Sequence, residues 1–168
     1  GGMGLTGIIL SAKFKLKNIE TAYIRQESIK AQNLDEIFKL FEESESWTYN
    51  VAWIDCLQTG KNIGRSILMR GEHAFKHELP KKLQQNPLRL KQKFIPKVPF
   101  YFPDFMLNKW SVRLFNYLYF NKQKRREIKN FVDYEIFFYP LDVVKDWNKI
   151  YGKKGFIQYQ MVIPKALG

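Results

Sequence analysis

Cysteine, histidine and acid are the scarce residues in this chain. A single cysteine, Cys56, excludes an intrachain disulfide and a cysteine-built metal cluster. It follows the apolar pair Trp53-Ile54, which predicts a buried structural thiol rather than a nucleophile. The two histidines, His73 and His77, are spaced for one face of a helix. Zinc, however, takes at least three protein ligands, and no His-Glu-x-x-His pattern accompanies them. They read as a solvated polar turn, and no metal is expected. No apolar run approaches the ~20 residues of a membrane-spanning helix, and there is neither an internal repeat nor a low-complexity tail. Acidic residues number 16 against 28 lysines and arginines, a net charge of +12. Such an excess speaks of partners, not of fold. It leaves nucleic acid, an anionic membrane surface and a phosphorylated ligand in view, beside a plainly solvated surface. Basic segments near aromatic residues suit single-stranded nucleic acid. An RNA-recognition consensus, a zinc finger and a clear helix-turn-helix are all missing, and composition does not separate nucleic acid from a lipid surface or from a plainly solvated one.

What the chain has in abundance is aromatic surface, 16% of its 168 residues, enough for one domain with a real core. Leu10, Ala12, Phe14 and Leu16 alternate with Ser11, Lys13, Lys15 and Lys17, a period of two that predicts a strand. Thr21-Ala22-Tyr23-Ile24 suggests a second. Asn33 then precedes Leu34, Ile37, Phe38 and Phe41 at helical spacing, with Glu36 at the capping-box position. Trp47, Tyr49, Val51 and Trp53 alternate again, and GRSILMR (64–70) reads as their partner strand. From 76 to 110, lysines, arginines and prolines crowd together, so a long surface excursion is expected. SVRLFNYLYF is apolar and of open type, and a basic run, Lys122 to Arg126, follows it. Residues 142–151 read as a helix stopped by Gly152. GFIQYQMVIP alternates as a last strand, with Ile157, Tyr159, Met161 and Ile163 on one face. This mixed order predicts the α+β class, an antiparallel sheet with helices packed mainly on one face.

Three glycines, Gly2-x-Gly4-x-x-Gly7, have the spacing of a dinucleotide pyrophosphate loop. Such a loop opens a helix whose amides hold the phosphates. Here the following residues alternate as a strand, so the Rossmann reading fails on context, although Glu27 stands at a ribose-binding distance. On the last strand Gln158 and Gln160 share a face, roughly 7 Å apart. They face water or, with Trp53 as a flat apolar wall, a polyhydroxylated ligand, since each amide both donates and accepts.

Four stretches together, GGMGLTGIIL, TYNVAWIDC, GRSILMRGEHA and FYPLDVVKDWNKIYGKKGFIQYQMVIP, resemble the decaprenylphosphoryl-ribose 2′-oxidase family of FAD-linked oxidases, within the vanillyl-alcohol-oxidase superfamily. The resemblance runs end to end and is weakest through residues 76–130. It implies that Gly1 is an interior residue of a longer bacterial protein, cytoplasmic or peripheral at the inner membrane. Residues 1–10 would be the exit strand of an FAD-binding domain, and 11–168 a substrate-binding (cap) domain truncated on its C-terminal side. Gly4, Gly7 and Ile9 would touch FAD, with Ile9 bonding it through its backbone. Trp53, Phe138, Asn148, Lys149, Gln158 and Gln160 would line the substrate pocket. Where relatives carry Tyr-His before Pro-Leu-Asp, this chain has Phe138-Tyr139, which keeps the apolar wall and loses a phenol. The implied substrate is a sugar on a polyprenyl phosphate, oxidised from secondary alcohol to ketone. No catalytic residue is expected within this chain, so the piece alone would be inert. The alternative is a basic module that binds nucleic acid or a membrane surface without chemistry.

Overall fold

The computed structural model describes residues 4–90, 94–160 and 162–164. Gly1 and Gly2 of the glycine-rich start, Lys91 and Lys93 of the basic excursion, and Met161 of the final alternation lie outside the described residues. Four antiparallel strands, β1 (Tyr23–Ala31), β2 (Tyr49–Ile54), β3 (Ser66–His73) and β4 (Glu127–Asp133), form one sheet in the order β2-β3-β1-β4. The register sets Ile29 opposite Leu68 and, on the other side, Glu127; Val51 lies opposite Met69. Because side chains alternate across a strand, this register fixes both faces of the sheet.

On one face, Ile29, Ala31 and Leu68 form a core with Ile37 and Leu40 of helix α1 (Leu34–Glu43). Burying each of those two helix residues is worth about 1.5–3 kcal/mol. The helix starts where the sequence says. The Asn33 side chain accepts from Glu36 N at 3.0 Å, while Glu36 Oε2 accepts from Gln32 N at 2.9 Å. Gly64, at φ +79°, lets the turn into β3 pass within van der Waals reach of the Leu34 backbone. A second cluster, Tyr23, Ala74 and Leu79, packs with Leu83 of the short helix α2 (Lys81–Gln84) and with Phe131. Between the two clusters Glu27 receives both Arg70 Nε at 2.9 Å and Arg70 Nη2 at 2.6 Å, and it pairs with Lys129 at 3.0 Å. Burial raises the Glu27 pKa, but its hydrogen bonds and the two cations outweigh that and hold it below the ordinary value.

The opposite face carries helix α3 (Lys109–Lys122) and helix α4 (Tyr134–Phe138) at its two ends. The Tyr119 ring lies 4.7 Å from that of Trp53, and Phe120 is buried beneath Lys30 and Arg65. Phe137 sits over Gly71. The α+β class is therefore as the sequence implies, with the refinement that helices meet both faces of the sheet.

Several local expectations change. SVRLFNYLYF is helical, part of α3, capped by Asn108, whose side chain accepts from Trp110 N and Ser111 N. Strand β4 is absent from the sequence reading because its apolar alternation is broken by Glu127, Lys129 and Asn130. The helix expected over 142–151 shrinks to a 3-10 turn, Trp147–Tyr151, ended by Gly152. Lys145 instead pairs in extended fashion with the 96–98 segment, and Asp146 adopts a left-handed backbone; a tertiary pairing overrides the helical pattern. The two alternating termini, 10–17 and 156–163, are not strands among the described residues, since no neighbouring strand supplies their ladder. Cys56 is exposed, not buried, because Asp55 takes the inward position beside it. His73 closes β3 instead of lying in a solvated turn, and His77 stacks on Phe75 at 5.7 Å.

Candidate functional site

The face that bears α3 and α4 is left open across its middle. Tyr49 and Trp53 are four positions apart on β2, so their side chains stand on the same face roughly 13 Å apart. Trp53 and Tyr119 wall one end. Tyr49, in edge contact with Phe138 at 4.9 Å and with His73 at 5.7 Å, walls the other. The floor between them, fixed by register, is Val51, Met69, Ser28, Gln26 and Asn130. Val51 is exposed at 44%, which leaves the floor reachable. Gln26 donates to Ser28 Oγ at 2.7 Å, and Ser28 O accepts from Gln123 Nε2 at 3.0 Å. Aromatic ends with amides and a hydroxyl between them suit a flat or polyhydroxylated ligand.

Two polar groups brace this face. Asp55, buried behind the end of β2, accepts from Arg65, Gln58, Asn116 and the Leu57 amide. Burial pushes its pKa up, but those donors outweigh it and the carboxyl stays below its ordinary value. Asn116 ties α3 to the β2–β3 connection at 2.7 Å through the same carboxylate. His73 has a buried Nδ1 without a hydrogen-bond partner. Burial lowers its pKa and Lys17 adds to that, so the ring is neutral near pH 7. The sequence reading missed His73 as a strand residue. The signal was there, for Met69, Gly71 and His73 extend the alternation of GRSILMR by one more step.

Of the residues singled out from the sequence, Trp53 and Phe138 lie on this face, at opposite ends. Asn148 and Lys149 belong to another neighbourhood, the 3-10 turn packed on residues 96–106. There Lys149 donates to Asp146 Oδ2 at 2.9 Å, and its carbonyl accepts from Phe102 N at 2.9 Å. Gln158 and Gln160 are exposed in the extended tail that follows Gly155. Gly4 and Gly7, at φ +79° and +146°, serve backbone turning: a Cβ at either would meet nothing within 4 Å. Ile9 is 85% exposed.

For a flavin, residues 4–10 offer a turn through Gly4 and Gly7 followed by an exposed irregular stretch, 7–10. The described residues build no enclosing cleft beside it. A cavity of about 770 Å³ lies by α2, on the side of the sheet away from Trp53; Tyr23, Lys82, Asn86 and Arg89 line it. No cluster of His, Cys, Asp or Glu suited to a metal occurs among the described residues. No helix among them is long and apolar enough to cross a membrane.

No family model matches the chain. Over 98% of its length it is 34% identical to the decaprenylphosphoryl-beta-D-ribose oxidase of Mycolicibacterium smegmatis, and the match covers 36% of that protein. Over 52% of its length it is also 34% identical to an uncharacterized protein in the mprA 5′ region of Streptomyces coelicolor, covering 24% of that protein. The chain thus spans about a third or less of either relative. The resemblance read from the sequence holds: from end to end, the chain is similar to a domain-sized stretch of a decaprenylphosphoryl-ribose oxidase.

Proposed function

We propose that this chain is the substrate-binding domain of an FAD-dependent oxidase that converts a secondary hydroxyl of a lipid-phosphate-linked sugar to a ketone. The end-to-end 34% identity to the M. smegmatis oxidase carries the reading. The termini support it. Leu5, Ile8, Ile9 and Leu10 at one end, and Ile157, Tyr159 and Val162 at the other, are apolar and more than 80% exposed. Side chains of that kind call for further protein to pack against, and the rest of the polypeptide is the partner that a domain-sized match leaves to find.

In this reading residues 4–10 pass beside FAD, with Gly4 and Gly7 turning the chain and the Ile9 backbone meeting the cofactor. When bound, the flavin accepts a hydride from the carbinol carbon. The chain's own part is to hold the sugar and exclude water. Trp53 and Phe138 provide apolar walls, Gln158 and Gln160 bond sugar hydroxyls once the tail is docked, and Asn148 and Lys149 bind nearer the phosphate. The hydroxyl proton goes to a base outside this chain, so the domain alone is inert.

The test is the visible spectrum of the complete gene product, purified without added cofactor. Flavin bands that bleach when a polyprenylphosphoryl sugar is added without oxygen support the assignment. Gln158→Ala and Gln160→Ala then raise KM without removing the flavin. A colourless protein that also fails to take up added FAD overturns it and favours a basic binding module.

A further inference from the structure

Helix α3 is apolar on two sides, and a helix apolar all round is ordinarily buried. Its inner side is: Asn116 and Phe120 are buried against the sheet end. Its outer side is not. Trp110, Leu114 and Leu118 follow one another at i, i+4 and i+8, and Tyr117 lies beside them; these are 75%, 60%, 58% and 57% exposed. Phe105, just before the helix and 76% exposed, extends the stripe past the N-cap, where Phe105 O accepts from the Asn108 side chain. The charge around this stripe has one sign. Between Asp104 and Glu127 there is no acidic residue, while Lys109, Arg113, Lys122, Lys124, Arg125 and Arg126 fall in that interval. On the helical wheel Lys109 and Arg113 border the stripe on one side and Lys122 on the other. Arg113 lies against Trp110, 5.9 Å from the ring centroid.

We infer that the outer face of α3 is a docking surface for an anionic lipid bilayer. The charge complementarity selects that occupant. An apolar stripe rimmed by cations, with Trp and Tyr at its margin, matches the depth profile of an interface: acyl chains below, phosphate headgroups at the rim. The helix lies in the plane of the leaflet and does not span it. The exposed side chains enter the acyl boundary, and Lys122, Lys124 and Arg125 meet the headgroups, while Arg126 reaches Glu36 on the other face of the sheet. This surface does not depend on a flavin. It is compatible with a domain that collects a lipid-borne substrate, yet it stands on α3 alone.

The experiment is co-sedimentation of the complete gene product with vesicles of phosphatidylcholine containing about a third phosphatidylglycerol, with pure phosphatidylcholine as control. Binding is expected only to the anionic vesicles, weakening as NaCl rises from about 0.1 to about 0.5 M. Lys124→Ala with Arg125→Ala is expected to lower the partition coefficient about 25-fold, roughly fivefold per cation. Leu114→Ser with Leu118→Ser lowers it at least ~10-fold, with circular dichroism and flavin content unchanged because both side chains are exposed. Equal binding to neutral and anionic vesicles overturns the proposal, as does a Leu114→Ser/Leu118→Ser variant that binds like wild type. So does a wild type that stays in the supernatant while this double variant loses thermal stability or sedimenting mass, which gives the face to another protein surface. Retention of nucleic acid without vesicle binding overturns it too.

Discussion

Gly71→Ala tests how α4 is seated on the sheet, and hence where the Tyr49–Phe138 wall stands. A Cβ at position 71 would lie 2.5 Å from Ile24 Cγ2 and 2.9 Å from two carbons of the Phe137 ring. Ile24 is fully buried and has no room to retreat, so its 2.5 Å contact persists as strain while Phe137 shifts, and with it the five-residue helix that carries Phe138. Overpacking of this kind costs about 1–3 kcal/mol. Gly71 has no left-handed backbone to lose, so alanine recovers about 0.4–1 kcal/mol by restricting the unfolded chain. With the Ile24 contact unrelieved the cost falls at the upper end of that range, so the net destabilisation is roughly 2–2.5 kcal/mol, a fall in Tm of about 4–10 °C for a domain of this size. Phe137→Leu opens room at the same point. The double variant should therefore lose less than the sum of the single losses, with a coupling of about 0.5–3 kcal/mol between touching residues. Thermal denaturation followed by circular dichroism of the four proteins measures it. A Gly71→Ala protein as stable as wild type, or strict additivity with Phe137→Leu, refutes the seating of Phe137 over Gly71.

Asp55→Ala strands Arg65 and Asn116 at a buried site and should cost about 3–5 kcal/mol, read as a loss of urea midpoint; a change below 1 kcal/mol contradicts the bracing role. The folded-state pKa of His73 is lowered from its ordinary 6.5, so the unfolded chain takes the proton first. Its contribution is then complete above about pH 6.5 and is lost as pH falls through the lower folded value. Urea midpoints taken downward from pH 7.5 should decline through that window, and His73→Gln should flatten the decline; an unchanged slope argues against a buried neutral ring. Trp53→Ala removes the wall that Tyr119 backs, and in the complete gene product it should raise KM for the sugar substrate about tenfold or more, with the flavin retained. An unaltered KM places the sugar elsewhere.

The parts of this fold that are legible in the sequence are those whose physics is local. Asn33 and Glu36 cap α1 within one turn of chain, and the alternation of Tyr49, Val51 and Trp53 is enough to put them on one face. Gly152 ends its helical turn as a left-handed stop. What escaped reading depends on a partner far along the chain. Strand β4 exists because β1 offers it a ladder and because Glu27 gives Lys129 a counter-charge, neither of which its own seven residues reveal. The reverse holds at the termini. Residues 10–17 carry a clean period of two and 156–163 a looser one, yet an alternating segment becomes a strand only where another strand receives its amides and carbonyls. The candidate site divides along the same line. Trp53 is placed by a strand the domain completes itself. Gln158, Gln160 and Ile9 lie on exposed segments that no strand among the described residues holds. Exposure of Ile157 at 97% and Leu10 at 93% in segments patterned for burial is thus the most informative disagreement between pattern and fold. An alternating segment left exposed on both sides is what a chain shows where no strand among the described residues receives its amides and carbonyls.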